Sequence, residues 1–411
     1  MTTTRHEAGE AVMRRLDALA RFTAEPEALT RLYLTPAHRA AALQVAAWME
    51  EAGLRASLDA AGTVVGRYEA ARPGAPTLLI GSHVDTIRDA GRYDGTLGVV
   101  AGIAAVAELN ARGERLPFAI EVLAFGDEEG VRFPVTLTSS RALAGTVAAG
   151  ALDVRDGDGI SLREALAAFG GDPDGLPALA RAPESILGYL EVHIEQGPVL
   201  EAEDLPVGIV TAIAGASRFT VAVTGQAGHA GTVPMRLRRD AVAAAAEMVL
   251  AAEAVAGETP DLVATVGVVA VPNGAVNVVA GEARFTLDVR SPSDAVRRAA
   301  LDDLMQRFAA IAGRRGVGLA VTPGYDAPAA ACSPRLQQAL AEGVTRLGLR
   351  PLLLPSGAGH DGLALASLCP IGMLFVRCAG GVSHSPAESI TAADADVAVR
   401  VLVDVLRHLA P

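Results

Sequence analysis

Lysine is absent from the 411 residues, so all 35 basic side chains are arginines, and no stretch gathers them into a basic tract. Against 47 acidic residues the formal net charge is −12, which removes electrostatic binding to nucleic acid or to an anionic membrane surface from consideration. An anionic ligand must then be held by a few local cations. Aromatic residues make up 4% of the chain, too few for a surface that stacks on bases. The three cysteines, Cys332, Cys369 and Cys378, form no Cys-x-x-Cys pair, which fits buried thiols in a reducing compartment better than a disulfide framework. No apolar run approaches the ~20 residues of a membrane span; the mean hydropathy of +0.33 comes from alanine and valine spread along the chain. The stretch up to Phe22 carries acidic residues inside a helical period, so it reads as an amphipathic helix and not a signal peptide, and a cytoplasmic protein is expected.

What is present is a chain 51% hydrophobic and 20% charged, longer than one core usually serves, so two domains are expected and a disordered or fibrous protein is excluded. Apolar residues recur at helical spacing from Thr35 to Gly53, and Ser57 to Tyr68 alternates like one strand. The apolar run Pro76–Ile80 ends abruptly in Gly81-Ser82-His83-Val84-Asp85, and Phe118–Phe125 ends the same way before Gly126-Asp127-Glu128-Glu129. An Ala/Val-rich helix from Thr96 to Arg112 separates the two runs, a βαβ order that predicts a parallel sheet. Near Ala216 the rhythm changes to β-α-β-β-α-β: strands Phe219–Thr224, Leu262–Val271, Ala283–Arg290 and Val317–Pro323, helices Arg238–Ala256 and Ser293–Ala312. The first rhythm then resumes with a helix at Arg335–Leu347, a strand at Ile371–Val376 and a helix at Asp394–Leu409. The expected fold class is therefore α/β: a mixed, mostly parallel sheet with helices on both faces, formed by residues 1–214 and 326–411, plus an inserted ferredoxin-like α+β lid or dimerisation domain at 215–325. The segment from Asp153 to Pro183, rich in Gly, Asp and Pro, reads as a surface loop.

Three histidines with carboxylates nearby, His83, His193 and His384, are read in loops that follow predicted strands, the place where α/β sheets carry their chemistry. His83, Asp94, Glu129, His193 and His384 supply the five imidazole and carboxylate groups that two divalent cations sharing one carboxylate need. Glu128 and Glu129 are adjacent, and neighbours on a turning segment point different ways, so one can bind metal while Glu128 shuttles a proton. Asp85, two residues past His83, is placed to accept that histidine's other ring N–H. Taken singly, each of these histidines has a structural alternative as a hydrogen-bonded core residue, and the glutamate pair as a solvated turn; together they point to a hydrolase. Further on, Gly225, Gly228 and Gly231 bracket His229 in a loop able to approach a ligand or another chain, where an imidazole could stabilise an oxyanion; an exposed histidine on a flexible hairpin is the alternative. Asn277 and Arg290, read on the two middle strands of the inserted domain, could anchor a carboxylate, although Arg290 could equally be a surface residue before Ser291-Pro292-Ser293. His6, His38 and His408 fall in predicted helices and take no role.

Six motifs carry a resemblance that spans nearly the whole chain in order: Gly81–Thr86, Tyr93-Asp94-Gly95, Asp127–Phe133, Glu191-Val192-His193-Ile194-Glu195-Gln196-Gly197-Pro198, Gly225–Thr232 and Ser356–Asp361. They are similar to the hydantoinase/carbamoylase branch of the dinuclear-metal aminoacylase and peptidase clan. The resemblance implies two divalent cations per subunit, Mn²⁺ or Zn²⁺ with Co²⁺ or Ni²⁺ as alternatives. One would be held by His83, Asp94 and His193, the other by Asp94, Glu129 and His384, with Glu128 as general base and then acid. It implies that His229 reaches the partner subunit's site in a homodimer joined through the lid, and that Gln196, Gly359 and His360 lie near the substrate.

The activity so implied is hydrolysis of a ureido C–N bond in a small carboxylate. Allantoate is the first expectation, on the run Gly372–Cys378 and the loop Gly380–Pro386; N-carbamoyl-L-amino acids or N-carbamoyl-β-alanine are the alternative. An aminoacylase or peptidase, or a non-catalytic binding protein on the same fold, is the remaining one.

Overall fold

The computed structural model describes residues 6–410. The chain divides into two compact units, one formed by the residues up to Thr211 together with those from Ala331 onward, the other by Ala212–Ala330. Strands are numbered along the whole chain. Those of the first unit are β1 (Arg55–Leu58), β2 (Val64–Tyr68), β3 (Thr77–His83), β4 (Ala119–Phe125), β5 (Ile186–Ile194) and β6 (Val207–Ile213). After the seven strands of the inserted unit come β14 (Ala330–Ala331), β15 (Leu353–Ser356) and β16 (Ile371–Val376). They form one nine-stranded sheet in the order β1-β2-β4-β3-β5-β16-β6-β14, with β15 also beside β6.

The centre of this sheet, β4-β3-β5-β16, is parallel; β2 and β6 join it antiparallel at either side. Every residue of β3, β4 and β16 is buried, as continuous apolar runs covered on two faces must be. On β5 the alternation sends Leu190, Val192 and Ile194 into the main core and Tyr189, Glu191 and His193 to the other side. The helix Thr96–Ala111 lies close on the sheet because Gly98 has no side chain: a Cβ there would stand 2.2 Å from the Val192 carbonyl oxygen. The short helix Gly362–Leu365 is tied to the opposite side, its first N–H donating to Glu191 Oε2 at 3.2 Å. The helices Glu7–Leu19, Pro36–Glu51, Pro334–Arg346 and Ala392–His408 complete the unit.

Two local expectations are corrected. Ser57–Tyr68 is not one strand but the antiparallel pair β1–β2, because Asp59 accepts the N–H groups of Ala61 and Thr63 at 2.9 Å each and Gly62 takes φ +81° in the turn between them. The segment from Asp153 to Pro183 is not merely a surface loop. It contains the helix Leu162–Phe169, opened by a capping box in which the Ser161 hydroxyl and the Glu164 side chain each accept the other's backbone N–H. That helix buries Leu162, Leu166 and Phe169, a helical period that the glycine-rich flanks conceal.

The inserted unit comprises β7 (Gly215–Thr224), β8 (Gly228–His229), β9 (Val263–Thr265), β10 (Val269–Ala270), β11 (Val278–Val279), β12 (Glu282–Ser291) and β13 (Gly318–Ala327). Its sheet runs β10-β12-β7-β13 with β9 also on β12, antiparallel throughout, and carries the helices Ala241–Glu258 and Asp294–Arg315. This is the β-α-β-β-α-β arrangement, except that the strand expected at Leu262–Val271 is broken into β9 and β10. Val221, Val223, Phe285, Leu287 and Val289 meet Ala244, Met248, Leu304 and Phe308 in its core, with Phe285 and Phe308 edge-on at 5.9 Å. A separate two-stranded ladder pairs β8 with β11.

Candidate metal centre

Strands β3 and β5, the turn Tyr93-Asp94-Gly95, the turn after β4 and the loop after β16 bring the site together. His83 is the last residue of β3 and His193 lies inside β5, so both are strand residues and not loop residues as expected; only His384 stands on a loop, at φ +54°. The turn Tyr93-Asp94-Gly95 carries the third element of the cluster. There Gly95 takes φ +65°, and a Cβ on it would lie 2.4 Å from His83 Nε2, so the turn passes the imidazole only as glycine.

The imidazoles converge on one carboxylate. His83 Nε2 and His193 Nε2 lie 3.4 and 3.1 Å from Asp94 Oδ1, and His384 Nε2 lies 3.3 Å from Asp94 Oδ2 and 3.7 Å from Glu129 Oε2. Two groups of three, His83–Asp94–His193 and Asp94–Glu129–His384, thus each offer ligand atoms within 4.8 Å of one another, with Asp94 common to both. The donor set fits a pair of cations. His83 Nδ1 lies 3.0 Å from the Asp85 carbonyl and His193 Nδ1 2.9 Å from the Ile194 carbonyl; a carbonyl only accepts, so both Nδ1 atoms carry hydrogen and both Nε2 atoms present lone pairs. His193 Nε2 is buried and has no hydrogen-bond partner although a carboxylate oxygen faces it, an arrangement that calls for positive charge between them.

The same field shows in the titration of the acids. Burial opposes the charge on Asp94, yet the imidazoles of His193, His384 and His83 gathered around it hold it well below the ordinary carboxylate range. Burial lifts Glu128 well above that range; His83 opposes the shift, and the negative charges of Glu129 and Asp361 add to it. Glu129 is pushed up to about 7 by burial and by Asp94. The carboxylate of Glu128 stands 3.9 Å from His83 Nε2.

Other residues singled out from the sequence fall as follows. The Asp85 carboxylate does not hold the His83 ring; it is 3.8 Å from Nδ1 and accepts the backbone N–H of Glu128 and of Glu129, each at 3.3 Å. Gln196 donates to Asp94 Oδ2 at 2.9 Å and to Ser383 Oγ at 3.0 Å. Gly359 faces Glu128: an added Cβ would lie 3.6 Å from its Oε1. His360 is wholly buried, 2.7 Å from Ser356 Oγ, with its ring edge-on to His193 at 4.4 Å. His229, Asn277 and Arg290 belong to the inserted unit. His229 is exposed on β8, its Nδ1 accepting the Gly231 N–H at 3.1 Å, which leaves the hydrogen on Nε2. Asn277 lies in the segment before β11 and not on a middle strand; its carbonyl accepts the Ala230 N–H at 2.9 Å. Arg290 makes a forked contact to Asp288, at 2.8 and 3.0 Å.

Sequence reasoning passed over Arg218, which reaches the same Asp288 at 2.8 Å from the neighbouring strand, and Ser383 and Glu388, which lie around Asp94. Ser383 could have been noticed from its place beside His384; Arg218 and Glu388 had no local signal, since only strand pairing and a loop contact bring them in.

Residues 79–408 match the family described as Peptidase family M20/M25/M40. Over 98% of this chain and 98% of the relative, the sequence is 44% identical to an N-carbamoyl-L-amino acid amidohydrolase of Geobacillus stearothermophilus. It is 39% identical to an allantoate deiminase of Arabidopsis thaliana, over 98% of this chain and 84% of that one. Among solved structures, an amidase of the hydantoinase/carbamoylase family from Burkholderia multivorans superposes with a TM-score of 0.92 at 33% identity, covering 97% of each chain.

Proposed function

The chain belongs to Peptidase family M20/M25/M40, and from that premise we propose that it is a metal-dependent amidohydrolase that cleaves the ureido C–N bond of a small carboxylate. The observation that carries this reading is the convergence of three imidazole Nε2 atoms on Asp94 with the Glu128 carboxyl beside them, 3.9 Å from His83 Nε2. In this reading His83, Asp94 and His193 would hold one divalent cation and Asp94, Glu129 and His384 the other. Two cations held there would supply Lewis-acid chemistry, lowering the pKa of water and polarising a carbonyl.

The chain's own residues do the rest. Glu128 takes the proton of the attacking water and delivers it to the leaving nitrogen as the C–N bond breaks, a transfer suited to a carboxyl that burial lifts well above the ordinary carboxylate range. One product is the amine, and the other is carbamic acid, which falls apart to CO₂ and ammonia. Arg290, with Asn277, orients the substrate carboxylate. Arg218 and Arg290 both reach the carboxylate of Asp288 from neighbouring strands, which sets two guanidinium groups side by side on an otherwise acidic chain. His229 Nε2–H donates to the developing oxyanion, and Gln196, Gly359 and His360 shape the space beside Glu128.

In this reading His229 acts from the partner subunit of a homodimer, as the resemblance to the hydantoinase/carbamoylase branch implies. The inserted unit supports such an interface by leaving Val263, Val268 and Val269 more than half exposed along and beside the edge strands β9 and β10. A cytoplasmic setting accords with three buried free thiols; no helix among the described residues is long and apolar enough to cross a membrane.

Allantoate remains the first substrate on the sequence of β16 and the loop after it. N-carbamoyl-L-amino acids are the second reading, favoured by the 44% identity over 98% of both chains to a relative of that name. Chelator-stripped protein reloaded with Mn²⁺ or Zn²⁺ and assayed for ammonia release decides between them. Activity on allantoate exceeding that on N-carbamoyl-amino acids is the expected result; activity on N-acetyl-amino acids or dipeptides alone overturns the ureido reading.

A further inference from the structure

Glu388 is buried, 4% exposed, and enters no step above. It belongs to the loop that carries His384, yet its Oε1 accepts two backbone N–H groups from the far end of the chain, Tyr93 at 2.8 Å and Asp94 at 3.1 Å. Its other oxygen, Oε2, lies 3.0 Å from Ser383 Oγ. A serine hydroxyl has one hydrogen to give. The Ser383 hydroxyl accepts from Gln196 Nε2 and lies between two carboxylates, 3.0 Å from Glu388 Oε2 and 3.2 Å from Asp94 Oδ2, so it links the two loops whichever acid takes its hydrogen. The seat is shaped for this carboxylate: a Cβ on Gly91 would stand 2.4 Å from both the carboxyl carbon and Oε1 of Glu388.

We infer that Glu388 is a positioning residue for the cation pair, locking the turn that presents Asp94 to the loop that presents His384, with Gly91 as the gap that admits it. The inference rests on reading the histidine–carboxylate cluster as a metal centre. The two cation positions depend on the lock unequally. His83 and His193 are held by the ladders of β3 and β5, and Asp94 is the one member of their group that a loop supplies. The other group draws His384 from a loop at left-handed φ with its side chain 53% exposed, and Glu129 from the turn after β4. Losing Glu388 therefore releases Asp94 and His384 relative to each other, and the Asp94–Glu129–His384 position suffers most.

Calorimetric titration of the stripped, full-length protein with Mn²⁺ or Zn²⁺ tests this, with the absorption of bound Co²⁺ as a second readout. Two bound equivalents are expected for the unaltered protein. In Glu388→Ala one of them weakens by at least about tenfold and the other changes by no more than about threefold, the range seen when partners of metal ligands are removed. Glu388→Gln, whose amide oxygen still accepts both N–H groups and whose amide hydrogen serves Ser383, retains both. Gly91→Ala, which fills the seat from the opposite side, reproduces Glu388→Ala and serves in its place if that variant does not fold. Two unchanged sites in Glu388→Ala or in Gly91→Ala overturn the inference, as does equal weakening of both sites, or loss in Glu388→Gln as large as in Glu388→Ala. If the unaltered protein binds no cation, it is the metal-centre reading that fails, and this inference falls with it.

Discussion

The carboxylate of Asp85 serves Glu128 and not His83: it accepts the backbone N–H of Glu128 at 3.3 Å while its own carbonyl takes the His83 ring hydrogen at 3.0 Å. The side chain two residues past a histidine thus organises the turn that carries the proposed proton shuttle. Asp85→Ala removes that acceptor and keeps the carbonyl that orients His83. Turnover is expected to fall about a hundredfold, the cost of a displacement of order 1 Å in a catalytic group, with metal content near that of the unaltered protein. Parallel measurement of kcat and bound metal checks this; metal loss as deep as the activity loss would show that Asp85 acts through His83 after all.

Glu128 and Asp94 are expected to separate cleanly by mutation. Glu128→Gln cannot carry the proton and should lower kcat by about 10²- to 10⁴-fold while binding metal nearly normally. Asp94→Ala removes the one carboxylate common to both ligand groups, so metal content and activity should vanish together. A Glu128→Gln variant that kept most of its rate would remove the shuttle assignment.

Gly95 tests the steric side of the site. With φ at +65° and His83 Nε2 at 2.4 Å from an added Cβ, Gly95→Ala pays twice, in backbone strain and in displacement of a ligand. Cation affinity should drop more than about tenfold, read by competition with a chelating dye, whereas Gly113→Ala is expected to leave it unchanged. Gly113 has a similar φ of +65° but open space around its Cβ position, so the comparison isolates the clash from the strain.

His38 makes stability depend on acid. It is fully buried, its Nδ1 accepts the Leu34 N–H at 3.0 Å, and its ring stacks on Phe169 at 4.9 Å. Burial, with the charges of Arg31 and Arg132, pushes its pKa down to about 3 from an ordinary 6.5. Below about 6.5 the unfolded chain takes up a proton that the folded chain refuses, so this contribution is present at neutral pH and drains away as pH falls towards 3. Between pH 7 and pH 5 it amounts to about 2 kcal/mol at 1.36 kcal/mol per unit. Urea unfolding at the two pH values should show a loss smaller by that amount in His38→Gln; identical losses in the two proteins would exonerate the histidine.

The parallel centre of the sheet was legible because Thr77–His83 and Ala119–Phe125 are continuous apolar runs with a helical segment between them, and such runs have one economical burial. The ligand-type residues were legible for a related reason: imidazole and paired carboxylates at the ends of buried strands are costly unless they bind something. What escaped was set by neighbours distant in the chain. The helix Leu162–Phe169 was hidden by its glycine-rich flanks, and Asp85 was misassigned because spacing along the chain says which atoms are near and not which way a side chain turns. Arg218 and Glu388 gave no sign, since the first is placed by the β7–β12 register and the second by a contact across 294 residues.

The sequence by itself determined the chemistry available to this protein: an acidic, lysine-free α/β chain with three histidines and three carboxylates in turns and strand ends. Periodicity and composition are properties of neighbouring residues, and they survive without a fold. Only the tertiary structure decided that Asp94 stands between all three imidazoles, that Asp85 holds the Glu128 turn, and that Glu388 joins two loops. Those relations are distances of about 3 Å between residues far apart in the chain, and only the packing of the sheet and its loops sets them.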